Sequence, residues 1–438
     1  MKRQGYLMKN FSYRILKYLL TSSIIFASLV SKASTQIIYD SETQNIINKI
    51  ALPIFKEAKL KRPEIYVITD PSPNAFTAGG EVIYIHSGLI TKFPDPNILR
   101  GVIAHEVGHI SAKHVIRSQN FAYDKQKIAM SSLLLGIVGS AITGDPSIAM
   151  QGAMIGSHTA ERSILKYSRE NEMAADIKAE EYLKKAGYNS TGLISLLEYF
   201  GSQHKIPEDI RYDLTHPVFS ERIYLIKSRN NEKRQFVENP EITKQYEMVA
   251  AKLSAYTTNF IDRKKFSKEA IIYAESIIEM RKSHLSSALD KINLLIARDK
   301  NNSYLYQLKA EILTFFGNIT ALEEFEKAIA KSEDILLKIE FAIAKIKLAN
   351  NKDIIKEAIF SITSVPTKYL NNNTILDYLS IGYDKLGQSE YSLYYRALAK
   401  KNIGDIKLAK KLAREAKSMC KNNSILSLKC DDILSTEE

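Results

Sequence analysis

The stretch AHEVGHISAKH, residues 104–114, constrains this chain more than any other, because it gathers three of the eight histidines and a glutamate into eleven consecutive positions. Around it, Ile98, Leu99, Val102, Ile103 and Val107 recur at helical spacing, which predicts a helix through PNILRGVIAHEVGHISAKHVIRS. Residues four apart on a helix share a face, so His105 and His109 can aim imidazole nitrogens at one ion. Glu106, beside them, suits proton transfer better than ligation: it can take a proton from the water that attacks a carbonyl. The plainer alternative is a buried histidine pair bonded to the backbone.

Two histidines leave a metal site incomplete. His114 is close, but zincins with a nearby third histidine use H-E-x-x-H-x-x-G-x-x-H, and here Ala112 and Val115 stand where glycine and histidine belong. His114 is therefore read as a residue of the same helix without a metal role. Downstream, YSRENEMAAD (167–176) places Glu172 and Asp176 four apart on another predicted helix. This suggests a ligand, Glu172, with Asp176 accepting the free N–H of a liganding histidine. Acids at this spacing also occur simply as a solvated helix face.

At 438 residues the chain exceeds one ordinary core, and its composition changes near residue 235. Seven of the eight histidines and nine of the eleven prolines precede that point. Beyond it, the turn candidates His284, Gly317, Asn351 and Gly387 recur about every 34 residues, each followed four positions on by Ala288, Ala321, Ile355 or Tyr391. The spacing resembles degenerate tetratricopeptide repeats; an irregular helical bundle is the alternative. In the first half, TQNIINKIALPIFKEAKL reads as an amphipathic helix and EIYVITD as a strand. The turn-rich PSPNAFTAGG leads into the alternating strand EVIYI, which is either an edge that pairs with an extended substrate or an internal strand.

Lys2, Arg3, Lys9, Arg14 and Lys17 precede the uncharged run Tyr18 to Ser31, and Ser31 and Ala33 are small residues suited to a cleavage site. Residues 1–33 thus read as a signal peptide, with an uncleaved anchor as the alternative. Export implies an oxidising compartment, where Cys420 and Cys430 could close a small loop. Residues 128–160 are largely apolar, with sixteen uncharged residues from Ile128 to Thr143, too short to span a bilayer. They suit a helical hairpin over the site, a peripheral membrane contact or simple core burial. The net charge of +12 is spread along the chain with no basic block, so no nucleic-acid partner is expected.

HEVGH, YSRENEMAAD and THPVFSER together resemble the peptidase family that contains HtpX and the CAAX prenyl endopeptidase. More narrowly, the signal peptide, NAFTAGG, IHSGL and a repeat-bearing second half resemble its periplasmic branch, the beta-barrel assembly-enhancing proteases. The resemblance implies an α+β zincin-type metallopeptidase domain over 34–235, mostly helical with a small sheet, and an all-α tetratricopeptide-like repeat domain over 236–438. It implies one zinc ion per chain held by His105, His109 and Glu172, with Glu106 as general base. By the same match, His216 is a fourth ligand, or it is a donor to the transition state or an idle loop residue; as a ligand it would hold the enzyme latent. Arg222 is either a catalytic neighbour or a structural bridge to carboxylates such as Glu172. The implied substrates are misfolded or stalled outer-membrane proteins, with the barrel-assembly machinery as a partner of the repeats. A chaperone or scaffold for barrel assembly is the alternative function.

Overall fold

The computed structural model describes residues 37–61, 63–77, 80–113, 169–203, 219–229, 238–370, 372–420 and 424–436. The first half begins with β1 (Ile37–Ile38) and α1 (Ser41–Glu57), followed by β2 (Glu64–Ile68), β3 (Ala75–Thr77) and β4 (Val82–His86). Then come α2 (Ser87–Lys92), α3 (Pro96–Ser111), α4 (residues 169–185), α5 (Thr191–Gln203) and α6 (Phe219–Arg229). The amphipathic α1 forms as its sequence period dictates, and Asp40 caps it by accepting from the Thr43 N–H at 2.9 Å. Its Ile46, Ile47, Ile50 and Ile54 are buried in one cluster with Ile65 and Val67 of β2 and Ile83 and Ile85 of β4.

The sheet runs β1-β2-β4-β3. Strand β4 lies parallel to β2, from Glu64 opposite Val82 to Ile68 opposite His86, and antiparallel to β3, from Ala75 opposite Ile85 to Thr77 opposite Ile83. EVIYI is therefore internal. On one side the edge is β3, which pairs with β4 through its three residues, and β1 is the edge on the other side. On the outer face Tyr66, Tyr84 and Phe76 stand directly opposite one another, with ring centroids 5.9 and 5.2 Å apart.

The second half consists of helices among the described residues: α7 (Pro240–Thr258), α8 (Lys268–Arg281), α9 (Leu285–Arg298), α10 (Ser303–Phe315), α11 (Ala321–Ile329) and α12 (Ile335–Leu348). They continue with α13 (Lys352–Thr363), α14 (Thr367–Leu370), α15 (Asn373–Leu386), α16 (Ser389–Asn402), α17 (Ile406–Met419) and α18 (Ile425–Leu434). All four turn candidates stand between helices, and α8 packs on α9, α10 on α11, α12 on α13 and α15 on α16. Ala288, Ala321 and Ile355 are buried, whereas Tyr391 is partly exposed and stacks on Tyr383 at 4.8 Å.

The change of composition near residue 235 is not a break in the core. Tyr246, Val249 and Leu253 of α7 belong to the same apolar cluster as Ile50, Ile83 and Leu99 of the first half and Leu308 of α10. Buried polar groups add to the join: Lys252 of α7 reaches Asp40 at 2.6 Å and Glu42 at 3.3 Å, and the Glu340 carboxylate of α12 accepts from the Ser41 N–H at 3.2 Å.

The loop proposed for Cys420 and Cys430 is not closed. Both thiols are free: Cys420 Sγ donates to the Ala416 carbonyl at 3.2 Å, and Cys430 packs with Ala409, Leu412 and Ala413. Residues 1–33, His114, residues 128–160 and His216 lie outside the described residues, so the expectations resting on them have no structural counterpart. Among the described residues no helix is long and apolar enough to cross a membrane.

Candidate metal centre

Helix α3 delivers the histidines. Asp95 caps it by accepting from the Asn97 N–H at 2.9 Å, and Pro96 fills a first-turn position that needs no donor. Its buried face runs from Ile98 to His109, so His105, Glu106 and His109 all point inward at 4%, 2% and 7% exposure. The helix stops at Ser111 and Lys113 turns left-handed at φ 55°, so it ends earlier than its period implied. Gly108 explains how a second polar helix gets close enough. A Cβ there would meet the Ala175 carbonyl oxygen at 2.5 Å, so only glycine lets α4 lie directly on α3. That approach brings Glu172 and Asp176 alongside the histidines.

Three donor groups converge. His105 Nε2 lies 3.1 Å from His109 Nε2 and 3.2 Å from Glu172 Oε2, and His109 Nε2 lies 3.2 Å from Glu172 Oε1. A tetrahedral ion with nitrogen and oxygen ligands at about 2.0–2.1 Å spaces them about 3.3–3.4 Å apart, and each of these three separations lies close to that value. His105, His109 and Glu172 thus form a buried group that can hold a metal ion. Charge argues the same way. Glu106, Glu172 and Asp176 are all buried beside Arg222, a concentration of carboxylates that a divalent cation would offset.

The surrounding groups orient the donors. Asp176 Oδ1 lies 2.9 Å from His105 Nδ1, which leaves Nε2 facing the carboxylate of Glu172. Arg222, carried in by α6, donates from Nε to Asp176 Oδ2 at 2.6 Å and from Nη2 to Oδ1 at 2.8 Å, and its Nη1 lies 3.0 Å from Glu172 Oε2. Arg222 is thus placed to hold both carboxylates. Burial and the Arg222 charge work against a proton on His105, but Asp176 and Glu172 outweigh them and hold the imidazole up to about 9. Burial pulls His109 below its ordinary value. Burial alone would raise the Asp176 carboxyl, yet Arg222 and His105 keep it below the usual carboxylate range.

An apolar pocket lies beside this centre, lined by Ala75, Leu89, Val102, Leu196 and Phe200 together with His105 and Glu106. Asn74 and Ala75, at the start of edge strand β3, form part of its rim. Reading the sequence did not single out Gly108 or Ala75. The glycine was visible inside HEVGH, but its meaning depends on the backbone of α4, which the string does not contain.

Residues 39–230 match peptidase family M48. The chain is 23% identical to the beta-barrel assembly-enhancing protease of Yersinia pestis over 327 residues, 69% of this chain and 65% of that protein's own length. It is 26% identical to metalloprotease YcaL of Escherichia coli over 168 residues, 38% of this chain and 61% of that protein. With the HtpX homolog of Listeria monocytogenes it shares 25% identity over 281 residues, 54% of this chain and 81% of that protein. The first two relatives are thus matched over less than two thirds of their length. The match to peptidase family M48 over residues 39–230 spans the elements that bring His105, His109 and Glu172 together.

Proposed function

We propose that this protein is an exported, zinc-dependent endopeptidase that hydrolyses envelope proteins, with a helical repeat half that presents clients. The observation that carries the reading is the donor triangle of His105, His109 and Glu172, with Glu106 on the wall of the adjoining pocket. When bound, zinc supplies Lewis acidity toward the scissile carbonyl. Glu106 takes the proton of the attacking water and passes it to the leaving amine. Asp176 keeps the His105 tautomer fixed, and Arg222 keeps Asp176 and Glu172 in place. Among the described residues β3 is an edge strand, which suits an extended client segment paired through its backbone, and the apolar pocket suits a neighbouring apolar side chain.

Relatives named beta-barrel assembly-enhancing protease support misfolded or stalled outer-membrane proteins as clients and the barrel-assembly machinery as partner. The charged and apolar pattern of residues 1–33 supports a periplasmic location. A second reading, a chaperone or scaffold role, is favoured by a cavity of about 640 Å³ lined from both halves of the chain, by Tyr39 and Asp40 as well as Tyr256, Phe315 and Phe325.

Substituting Glu106→Gln separates the two. The variant is expected to retain one zinc per chain and to lose casein hydrolysis by about 10² to 10⁴. Undiminished cleavage would contradict the endopeptidase mechanism.

A further inference from the structure

Strand β3 is held to β4 by only three register pairs, yet its first residue borders the pocket beside Glu106. A short edge strand frays unless something outside the ladder fixes its ends. The turn before it, Asp70 to Asn74, is tied down by a cluster that contributes nothing to the metal centre. The Asp70 carbonyl accepts from the Gly88 N–H at 2.8 Å and from Ser87 Oγ at 3.0 Å, at the start of α2. A Cβ at Gly88 would meet the Pro71 carbonyl oxygen at 2.2 Å, so the turn rests directly on that helix. The Asp70 carboxylate accepts from Ser72 N at 2.8 Å and Ser72 Oγ at 2.5 Å.

His86 closes the cluster. It ends β4, is 8% exposed, and its backbone N–H donates to the Asn74 carbonyl at 2.9 Å. Its Nδ1 lies 2.8 Å from Ser72 Oγ and 3.2 Å from Asp70 Oδ1, and its ring meets Phe76 of β3 edge-on at 5.9 Å. Because the Ser72 hydroxyl proton goes to Asp70, Ser72 Oγ is the acceptor and His86 Nδ1–H the donor. One side chain thereby grips the turn, the rim of the pocket and the edge strand.

We infer that Asp70, Ser72 and His86 form a positioning lock that sets the edge of β3 at the height of the metal centre, which makes His86 a positioning residue for the client backbone. The inference rests on the endopeptidase reading for its functional meaning. Loss of the lock lets the edge shift, weakening productive alignment of the client while leaving the metal and the base in place.

The test uses the zinc-loaded full chain with fluorescein-labelled casein. Ser72→Ala and His86→Phe, the latter keeping an aromatic ring without Nδ1, are expected to raise KM by about tenfold with kcat within about twofold and zinc content unchanged. His86→Asn returns a donor to the Nδ1 position and is expected to recover most of the loss. The same substitutions in the Glu106→Gln background should weaken casein binding, read by anisotropy, to the same extent. That arm needs no turnover, so it decides the lock even if the role of Glu106 fails. A wild-type KM and binding constant in His86→Phe, a fall in kcat alone, or Asn behaving like Phe overturns the proposal.

Discussion

Among the described residues, a buried ionic cluster at the metal centre can be set beside another where the halves meet, and both contain more carboxyl groups than cations. At the junction the cation is part of the chain: Lys252 Nζ sits 2.6 Å from Asp40, 3.3 Å from Glu42 and 4.0 Å from Glu311. The remaining acids are satisfied by neutral donors. Tyr273 donates to Glu42 at 2.7 Å, and Gln307 donates to Glu311 at 3.0 Å and Glu340 at 2.6 Å. Burial pushes the Glu42 carboxyl up to about 7 despite Lys252, and it raises Glu311 and Glu340 as well, which favours the neutral form of these acids. At the metal centre, two imidazole nitrogens converge on the surplus carboxylate instead. An acid-rich cluster becomes a metal site through such convergent donors, whereas a central lysine makes it a clasp.

The largest effect should come from removing a convergent donor. Glu172→Ala should empty the metal centre in metal analysis and abolish casein cleavage, because two histidines alone leave the ion under-coordinated. At the clasp, Lys252→Met should cost about 3 kcal/mol in chemical denaturation, since it leaves the partly buried Asp40 and the buried Glu42 without their cation. The folded fraction of that variant should still bind zinc; loss of metal in folded protein would mean that the clusters are coupled.

The pH dependence sharpens the contrast further. For Glu42 the unfolded value is near 4.5 and the folded value about 7, so the native state holds more protons between them. Its contribution is complete at low pH and is lost as pH rises from about 4.5 to 7, by about 3 kcal/mol at most. Glu42→Gln should make the stability curve shallower over that window without flattening it, because Glu311 and Glu340 are shifted in the same direction. An unchanged slope would remove Glu42 from the account. The smallest expected effect is that of Asp176→Asn, which should weaken zinc affinity by about 10- to 100-fold in competition with a chelating dye, because it loosens the orientation of His105.

Much of the centre was legible in the string because it depends on helical period. The faces of α3 and α4 follow from spacing, so His105, Glu106, His109, Glu172 and Asp176 could be named as a group before any coordinates. Features that depend on a partner element were not legible. Which strand forms the edge is decided by where the chain returns after Ala75–Thr77, so EVIYI had to remain ambiguous. The shared core of Val249 with Ile50 is invisible to composition, and the change near residue 235 suggested a cleaner division than the packing has. Cys420 and Cys430 are close in sequence, but Cys420 bonds back to its own helix and Cys430 faces the core of the next. The tie from His86 to Ser72 spans fourteen positions and has no periodic signature.

The central claim, that His105, His109 and Glu172 hold the ion on which hydrolysis depends, is tested most directly by one measurement on the unaltered chain. Zinc content and casein cleavage are followed together before chelation, after chelation and after one equivalent of zinc is returned. The account predicts one zinc per chain, cleavage that disappears with the metal, and recovery in proportion to the zinc restored. Full cleavage by metal-free protein would contradict it.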